Sequence, residues 1–115
     1  MTGEPGSLVA IPFPYTDLST SKRRPALVLT SPDEREDFLV LAVTSRETEG
    51  AAEVLETPDL EEGRLPRRSW VRVDKAFTVN SSLVQKEYGR LTDVTFKRVH
   101  KAFCYQMGCE RIAVV

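Results

Sequence analysis

The chain lacks most of what a metalloprotein, a disulfide scaffold or a membrane protein needs. Its 115 residues include only two cysteines and one histidine. Cys104 and Cys109 stand in a C-x4-C spacing, and a four-ligand zinc pattern needs more donors than these. Two reduced structural thiols are the simpler reading, so no metal is expected, and no cofactor. No apolar run approaches the roughly 18 residues of a membrane helix. The first residues, Met1-Thr2-Gly3-Glu4-Pro5-Gly6, have neither a basic start nor an apolar stretch. No secretory signal is expected there, and the cytoplasm is the expected location. Repeats, low-complexity tracts and linkers are missing too, so residues 1–115 are expected to form a single domain.

Net charge is nearly absent, at −1, and such a balance argues against a generic polyanion binder. The distribution argues the other way. Residues 33–63 carry 11 acidic and 2 basic side chains, a net of −9, and the rest carries 14 basic and 6 acidic, a net of +8. A basic body with one acidic segment suits a groove for a polyanion; a solvated acidic loop on a neutral protein explains the same count.

What is present begins with Lys22-Arg23-Arg24-Pro25, followed by Ala26-Leu27-Val28-Leu29. Proline at 25 pushes Arg24 toward extended backbone. The apolar run after it is short and rich in strand formers. Arg24 is therefore expected at the mouth of a buried strand, where its guanidinium can grip an anion. A further strand, Phe38 to Thr44, ends in Thr44-Ser45. A charged fork and a hydroxyl pair, each at a strand end, read as halves of one site.

Leu8 to Phe13 reads as the first strand, Tyr15–Ser21 as a flexible loop, and 25–30 as the second strand. After Phe38–Thr44, Ala52–Leu55 reads as a short strand and Thr57–Gly63 as an acidic connection. Ser69–Val73 alternates as a half-buried strand, which Phe77–Val79 extends or follows as another, and Leu83-Val84 and Tyr88–Leu91 suggest a short final strand or two. Thr92 or Asp93 caps a helix whose stripe is Phe96, Val99, Phe103 and Met107, with Gly108 as its stop. Ile112–Val115 could add a last strand. The pattern is mainly β with minor α: a small, strongly curved sheet or partly open barrel with a C-terminal helix.

The segment Gly6-Ser7-Leu8-Val9-Ala10-Ile11-Pro12-Phe13-Pro14-Tyr15-Thr16-Asp17-Leu18-Ser19 resembles the opening of the MazF/PemK toxins of bacterial toxin–antitoxin systems. Lys22 to Leu29 resembles their basic-Arg-Pro-x-Leu-Val signature, and Leu41-Ala42-Val43-Thr44-Ser45 the strand ending in their active-site threonine. Ser69-Trp70-Val71-Arg72-Val73-Asp74-Lys75 and Gly89-Arg90-Leu91-Thr92 match later parts in order. Ser7 stands where many relatives carry aspartate, a position read as structural. The resemblance implies an SH3-like small barrel of the MazF/PemK–CcdB type. It also implies a homodimer, a cognate antitoxin as partner, and a metal-independent endoribonuclease that cuts single-stranded RNA. Through it the catalytic roles fall on Arg24 and Thr44.

RNA can be cut by its own 2′-hydroxyl, and the rate then depends most on preorganised donors that stabilise the developing charge. Arg24 offers five donors in a planar fork, and Thr44 adds a short hydroxyl. Lys22 and Arg23 suit backbone phosphates, Tyr15 a stacked base, and Ser45 and Lys75 are further RNA-binding candidates. Read without the family, Arg24 fits a salt bridge to Asp17 or Asp93, and Thr44 a hydroxyl capping a backbone group. His100, between Phe96 and Phe103, reads as a partly buried helix histidine. Trp70 and Phe77 read as core or dimer contacts. A non-catalytic toxin of the same fold, like the gyrase-binding CcdB, and an inactive antitoxin-binding member remain as alternatives.

Overall fold

The computed structural model describes residues 4–12 and 23–109. Among them are seven strands and one α-helix. In chain order these are β1 (Ser7–Pro12), β2 (Arg23–Val28), β3 (Asp37–Thr44), β4 (Ala52–Leu55), β5 (Leu60–Gly63), β6 (Ser69–Asn80), β7 (Lys86–Leu91) and α1 (Asp93–Met107). The strands form one sheet in the order β4-β6-β3-β2-β1-β7-β5, antiparallel at every junction.

The central strands are apolar in unbroken runs because both of their faces are covered. Leu8, Leu27, Leu41, Val43, Val71 and Val99 pack into one cluster, beneath α1. Their alternates Val9, Ile11, Ala26, Val28, Phe38 and Val40 pack into a second, on the opposite face. Sheets with one wet face alternate apolar and polar residues; these strands do not. Ser7, at the start of β1, is itself buried, as expected of a structural position.

The sheet curls into a half-barrel, a mainly β architecture with a single C-terminal helix. Opposite β3, β6 carries three extra residues: Leu41 pairs with Ala76 but Ala42 pairs with Arg72. That irregularity bends the long strand. At the far ends, Arg98 of α1 gathers the two sheet edges. Its guanidinium meets the Glu53 carboxylate at 3.1 Å and the Val54 carbonyl at 3.0 Å, both on β4. It also lies 3.8 Å from Asp59, which immediately precedes β5. Part of the acidic segment is thus used at the barrel's seam.

The helix is capped as its sequence suggests. The Thr92 hydroxyl accepts from the Thr95 N–H at 3.1 Å, and Gly108 ends the helix in the left-handed conformation. Two expectations for the helix, a partly buried His100 and Met107 in the apolar stripe, are corrected. His100 is exposed, and Met107 is 60% exposed. Thr95 and Val99 are the buried helix residues, and positions 100 and 107 lie roughly 80–100° round from Val99's stripe at 3.6 residues per turn.

Strand limits also differ from expectation. β2 begins at Arg23, so both arginines belong to the strand, and it ends at Val28 rather than residue 30. The acidic Leu60–Gly63 is a strand, tolerated because β5 is a sheet edge with its carboxylates exposed. Phe13, the Tyr15–Ser21 loop and Ile112–Val115 lie outside the described residues.

Candidate active site

Register brings Arg24 and Thr44 together. β2 and β3 pair as Val28↔Val40, Leu27↔Leu41 and Ala26↔Ala42. Carrying that register two residues further sets Arg24 across from Thr44. Pro25, between them, has no N–H with which to prolong the ladder. Alternation keeps positions 24 and 26, and likewise 42 and 44, on the same faces. The strand ends therefore deliver both side chains to one level.

A cavity of about 330 Å³ opens there, lined by Arg23, Arg24, Thr44, Ser45 and Arg46 with Pro25 and Val43. Four of the seven expected site residues meet in it: Arg23, Arg24, Thr44 and Ser45. Lys75 does not line it; it lies exposed in the irregular part of β6. Lys22 and Tyr15 lie outside the described residues.

Arg46 is a cation that no sequence motif singles out, since it falls in a polar connection. The chain turns at the end of β3 so that the Arg46 N–H donates to the Thr44 hydroxyl oxygen at 3.1 Å. This bond fixes both partners. It holds the threonine's hydroxyl oxygen against the turn, and Arg46 itself lines the cavity. It also occupies a lone pair of Thr44 Oγ1 while leaving the hydroxyl proton available to donate. The strand-end cap and the donor role are compatible in one geometry.

Three arginines and two hydroxyl residues thus line one small hollow. Such a set is rich in donors and strongly cationic, and its natural complement is a tetrahedral oxyanion such as a phosphodiester. Side chains of metal-ligating type do not cluster in groups of three anywhere among the described residues. His100 sits apart on α1, its ring 5.8 Å from that of Phe96 and its Nδ1 3.7 Å from the Cys104 sulfur. Trp70 lies under the Arg68 guanidinium at 5.8 Å, and Phe77 packs on the second core cluster.

A second, smaller cavity adjoins the first. It measures about 210 Å³ and is lined by Leu65, Pro66, Arg67, Ser69 and Tyr88. Pro25 and Ser45 line both hollows.

A family model described as PemK-like, MazF-like toxin of type II toxin–antitoxin system matches residues 4–107. No curated protein sequence matches the chain. Among solved structures, the MazE–MazF complex from Deinococcus radiodurans aligns with a TM-score of 0.71 at 21% identity, over 94% of this chain and 98% of that one. An endoribonuclease in complex with its cognate antitoxin, from a mycobacterial species, aligns at 0.69 with 15% identity, over 94% and 96%. The Mycobacterium tuberculosis toxin MazF-mt6 aligns at 0.69 with 17% identity, over 89% and 96%. At these identities the likeness is one of fold.

Proposed function

The chain belongs to the PemK-like, MazF-like toxin family of type II toxin–antitoxin systems, and we propose that it is an endoribonuclease that cuts single-stranded RNA without a metal. The observation that carries this reading is the convergence of Arg24 and Thr44, with Arg23, Ser45 and Arg46, on one cavity. The mycobacterial neighbour described as an endoribonuclease supports it.

The step needs only the substrate's own nucleophile. The 2′-oxygen attacks the adjacent phosphorus, the bond from phosphorus to the 5′-oxygen breaks, and a 2′,3′-cyclic phosphate and a 5′-hydroxyl result. Negative charge builds on the non-bridging oxygens, where a preorganised fork such as Arg24's is most effective. A guanidinium keeps its proton in proteins, so Arg24's role is charge stabilisation and a hydrogen bond to the leaving 5′-oxygen, which takes its proton from water. Thr44, its oxygen held by the Arg46 N–H, donates to a phosphate oxygen. The proton of the 2′-hydroxyl leaves to water or to a substrate group. Arg23 and Arg46 grip flanking phosphates, and Ser45 lies beside the scissile one.

The working form is a homodimer neutralised by a cognate antitoxin. Support for a covering partner comes from α1, which leaves Val94, Tyr105 and Met107 exposed. Two of the neighbours were solved with their antitoxins. The strand of Trp70 and Phe77, expected to offer apolar residues to a partner, does not supply the large exposed ones: these are Leu83, Val94, Tyr105 and Met107 among the described residues. Incubating purified protein with a long RNA in the presence of EDTA tests the reading. Fragments ending in 2′,3′-cyclic phosphate support it, and intact RNA or a need for divalent ions overturns it.

A further inference from the structure

The cap that ends α1 brings the chain's two cysteines together. Gly108 is left-handed, with φ 76°, and its N–H donates to the Tyr105 carbonyl at 3.0 Å. A glycine so placed is the pivot of a Schellman turn, which folds the residue after the glycine back onto the residue four before it. Those two residues are Cys109 and Cys104. The C-x4-C spacing, too poor in donors for zinc, is therefore the spacing of a contact across a helix end. The Cys104 thiol is hydrogen-bonded to the Cys109 side chain.

A third group joins them. His100 lies about one turn earlier on α1, and its Nδ1 is 3.7 Å from the Cys104 sulfur. Both cysteines are free thiols, Cys104 half-buried and Cys109 exposed. None of the three residues lines the arginine-rich cavity, and the cutting of RNA leaves them without a task. Burial first, and then the contact with Cys109, push the Cys104 thiol above its ordinary pKa. The thiolate is the reactive form, so Cys104 is the poorer first nucleophile. An exposed thiol beside a second that can resolve it is the arrangement of a reversible redox site.

We propose that Cys104 and Cys109 form a reversible disulfide site at the end of α1, oxidised by peroxide, with His100 taking the proton of the resolving thiol. The Cys109 thiolate attacks one peroxide oxygen and the O–O bond breaks. Cys109 becomes a sulfenic acid, and the departing hydroxide leaves as water with the proton that the thiol gave up. The Cys104 thiol passes its proton to Nδ1 of His100, in the tautomer that leaves Nδ1 unprotonated. The Cys104 sulfur then attacks the Cys109 sulfur, the S–O bond breaks, and the hydroxyl takes the proton from His100 and leaves as water. Two thiols lose two electrons, and hydrogen peroxide gains them and becomes two waters. A thiol reductant reverses the change by exchange. The bridge closes around Tyr105 and Met107, two of the exposed apolar residues of α1. Oxidation therefore pins the end of the surface assigned above to a covering partner. The site stands whether or not the chain cuts RNA.

The test counts thiols in the full chain. Reduced protein is treated with hydrogen peroxide, then alkylated with a maleimide. Both alkylation sites should disappear, and dithiothreitol should restore both. Chymotrypsin cuts after Tyr105, between the cysteines, so the two fragments should stay joined until reduced. Cys104→Ser should stop at a sulfenic acid on Cys109, which dimedone captures. Cys109→Ser should leave Cys104 open to alkylation at peroxide concentrations that consume the native pair. His100→Ala, an exposed change, should slow closure, so that dimedone captures Cys109 in a chain that still holds both thiols. Two alkylated cysteines after peroxide, a bridge between two chains, or oxidation of Cys109 past the sulfenic acid with Cys104 still free would overturn the site. Closure at the native rate in His100→Ala would overturn the role given to the histidine.

Discussion

Arg24 and Thr44 line one cavity, each lying two residues along its strand from the Ala26–Ala42 pair that joins β2 to β3. Register alone makes them neighbours, although 20 positions separate them in sequence. A slip of one residue would send every side chain of a strand to its opposite face. The two buried core clusters that β2 and β3 serve therefore also hold the site in alignment.

Thr44→Ala should slow cleavage without abolishing it, because the arginine cluster remains. Thr44→Ser should keep part of the activity, since its hydroxyl can still accept from the Arg46 N–H and donate outward. Single-turnover rates on one defined oligonucleotide distinguish the three. Equal rates for Thr44→Ala and the native chain would remove the threonine from the mechanism.

Salt should weaken RNA binding steeply despite a net charge of −1. Each neutralised phosphate on a single strand contributes about 0.7 to the slope of log K against log salt. Arg23→Ala and Arg46→Ala should each flatten that slope by about this amount, as read from binding isotherms at several salt concentrations. A parallel line for both variants would place the phosphate track elsewhere.

Gly63 has φ +83°, a left-handed conformation that favours glycine, and a Cβ there would overlap the Tyr88 carbonyl oxygen. Gly63→Ala should destabilise the fold by at least ~1–3 kcal/mol, the cost of a strained backbone position, with the overlap against the Tyr88 carbonyl added. A melting temperature within a degree of the native value would show that β5 can move off β7 freely.

The Arg72–Asp74 pair gives a pH signature. Asp74 receives two hydrogen bonds of 3.1 Å from the Arg72 guanidinium, and these hold its carboxyl below the ordinary value of 3.8. A carboxylate with a lowered folded pKa adds stability that is complete above the unfolded pKa and disappears as pH falls through the folded one. The pair is partly exposed, so the gain is a few tenths of a kcal/mol, as for surface ion pairs. Asp74→Asn should lose that much at pH 7 and progressively less as pH falls below the ordinary 3.8. Chemical denaturation at pH 7 and through that acid range checks it, and a deficit that does not shrink in acid would contradict it.

Much of this is legible in the chain. Pro25 and the apolar runs after Arg24 and before Thr44 mark two strand ends, and Thr92 and Gly108 mark the helix limits. What escapes depends on register and turns rather than on composition. Arg46 joins the site only because its N–H bonds the Thr44 hydroxyl, which no periodicity reveals. Tyr88 reaches the second cavity through a bulge defined by its partner strand. The buried helix stripe is narrower than its spacing suggests, because intervals of three and four do not say how broad a face the sheet covers. Lys75 fits a strand pattern, but the three extra residues of β6 set it apart from the cavity.

Cleavage of RNA by the native chain and by Arg24→Ala, in EDTA and with folding verified by circular dichroism, is the most direct test. The native chain should cut and leave 2′,3′-cyclic phosphate ends. Losing one preorganised donor costs about 10²–10³ in rate. Arg24→Ala should lose that much or more, and Arg24→Lys should not recover it, because a point charge cannot replace the planar fork. A folded Arg24→Ala protein that cuts at the native rate would contradict the account.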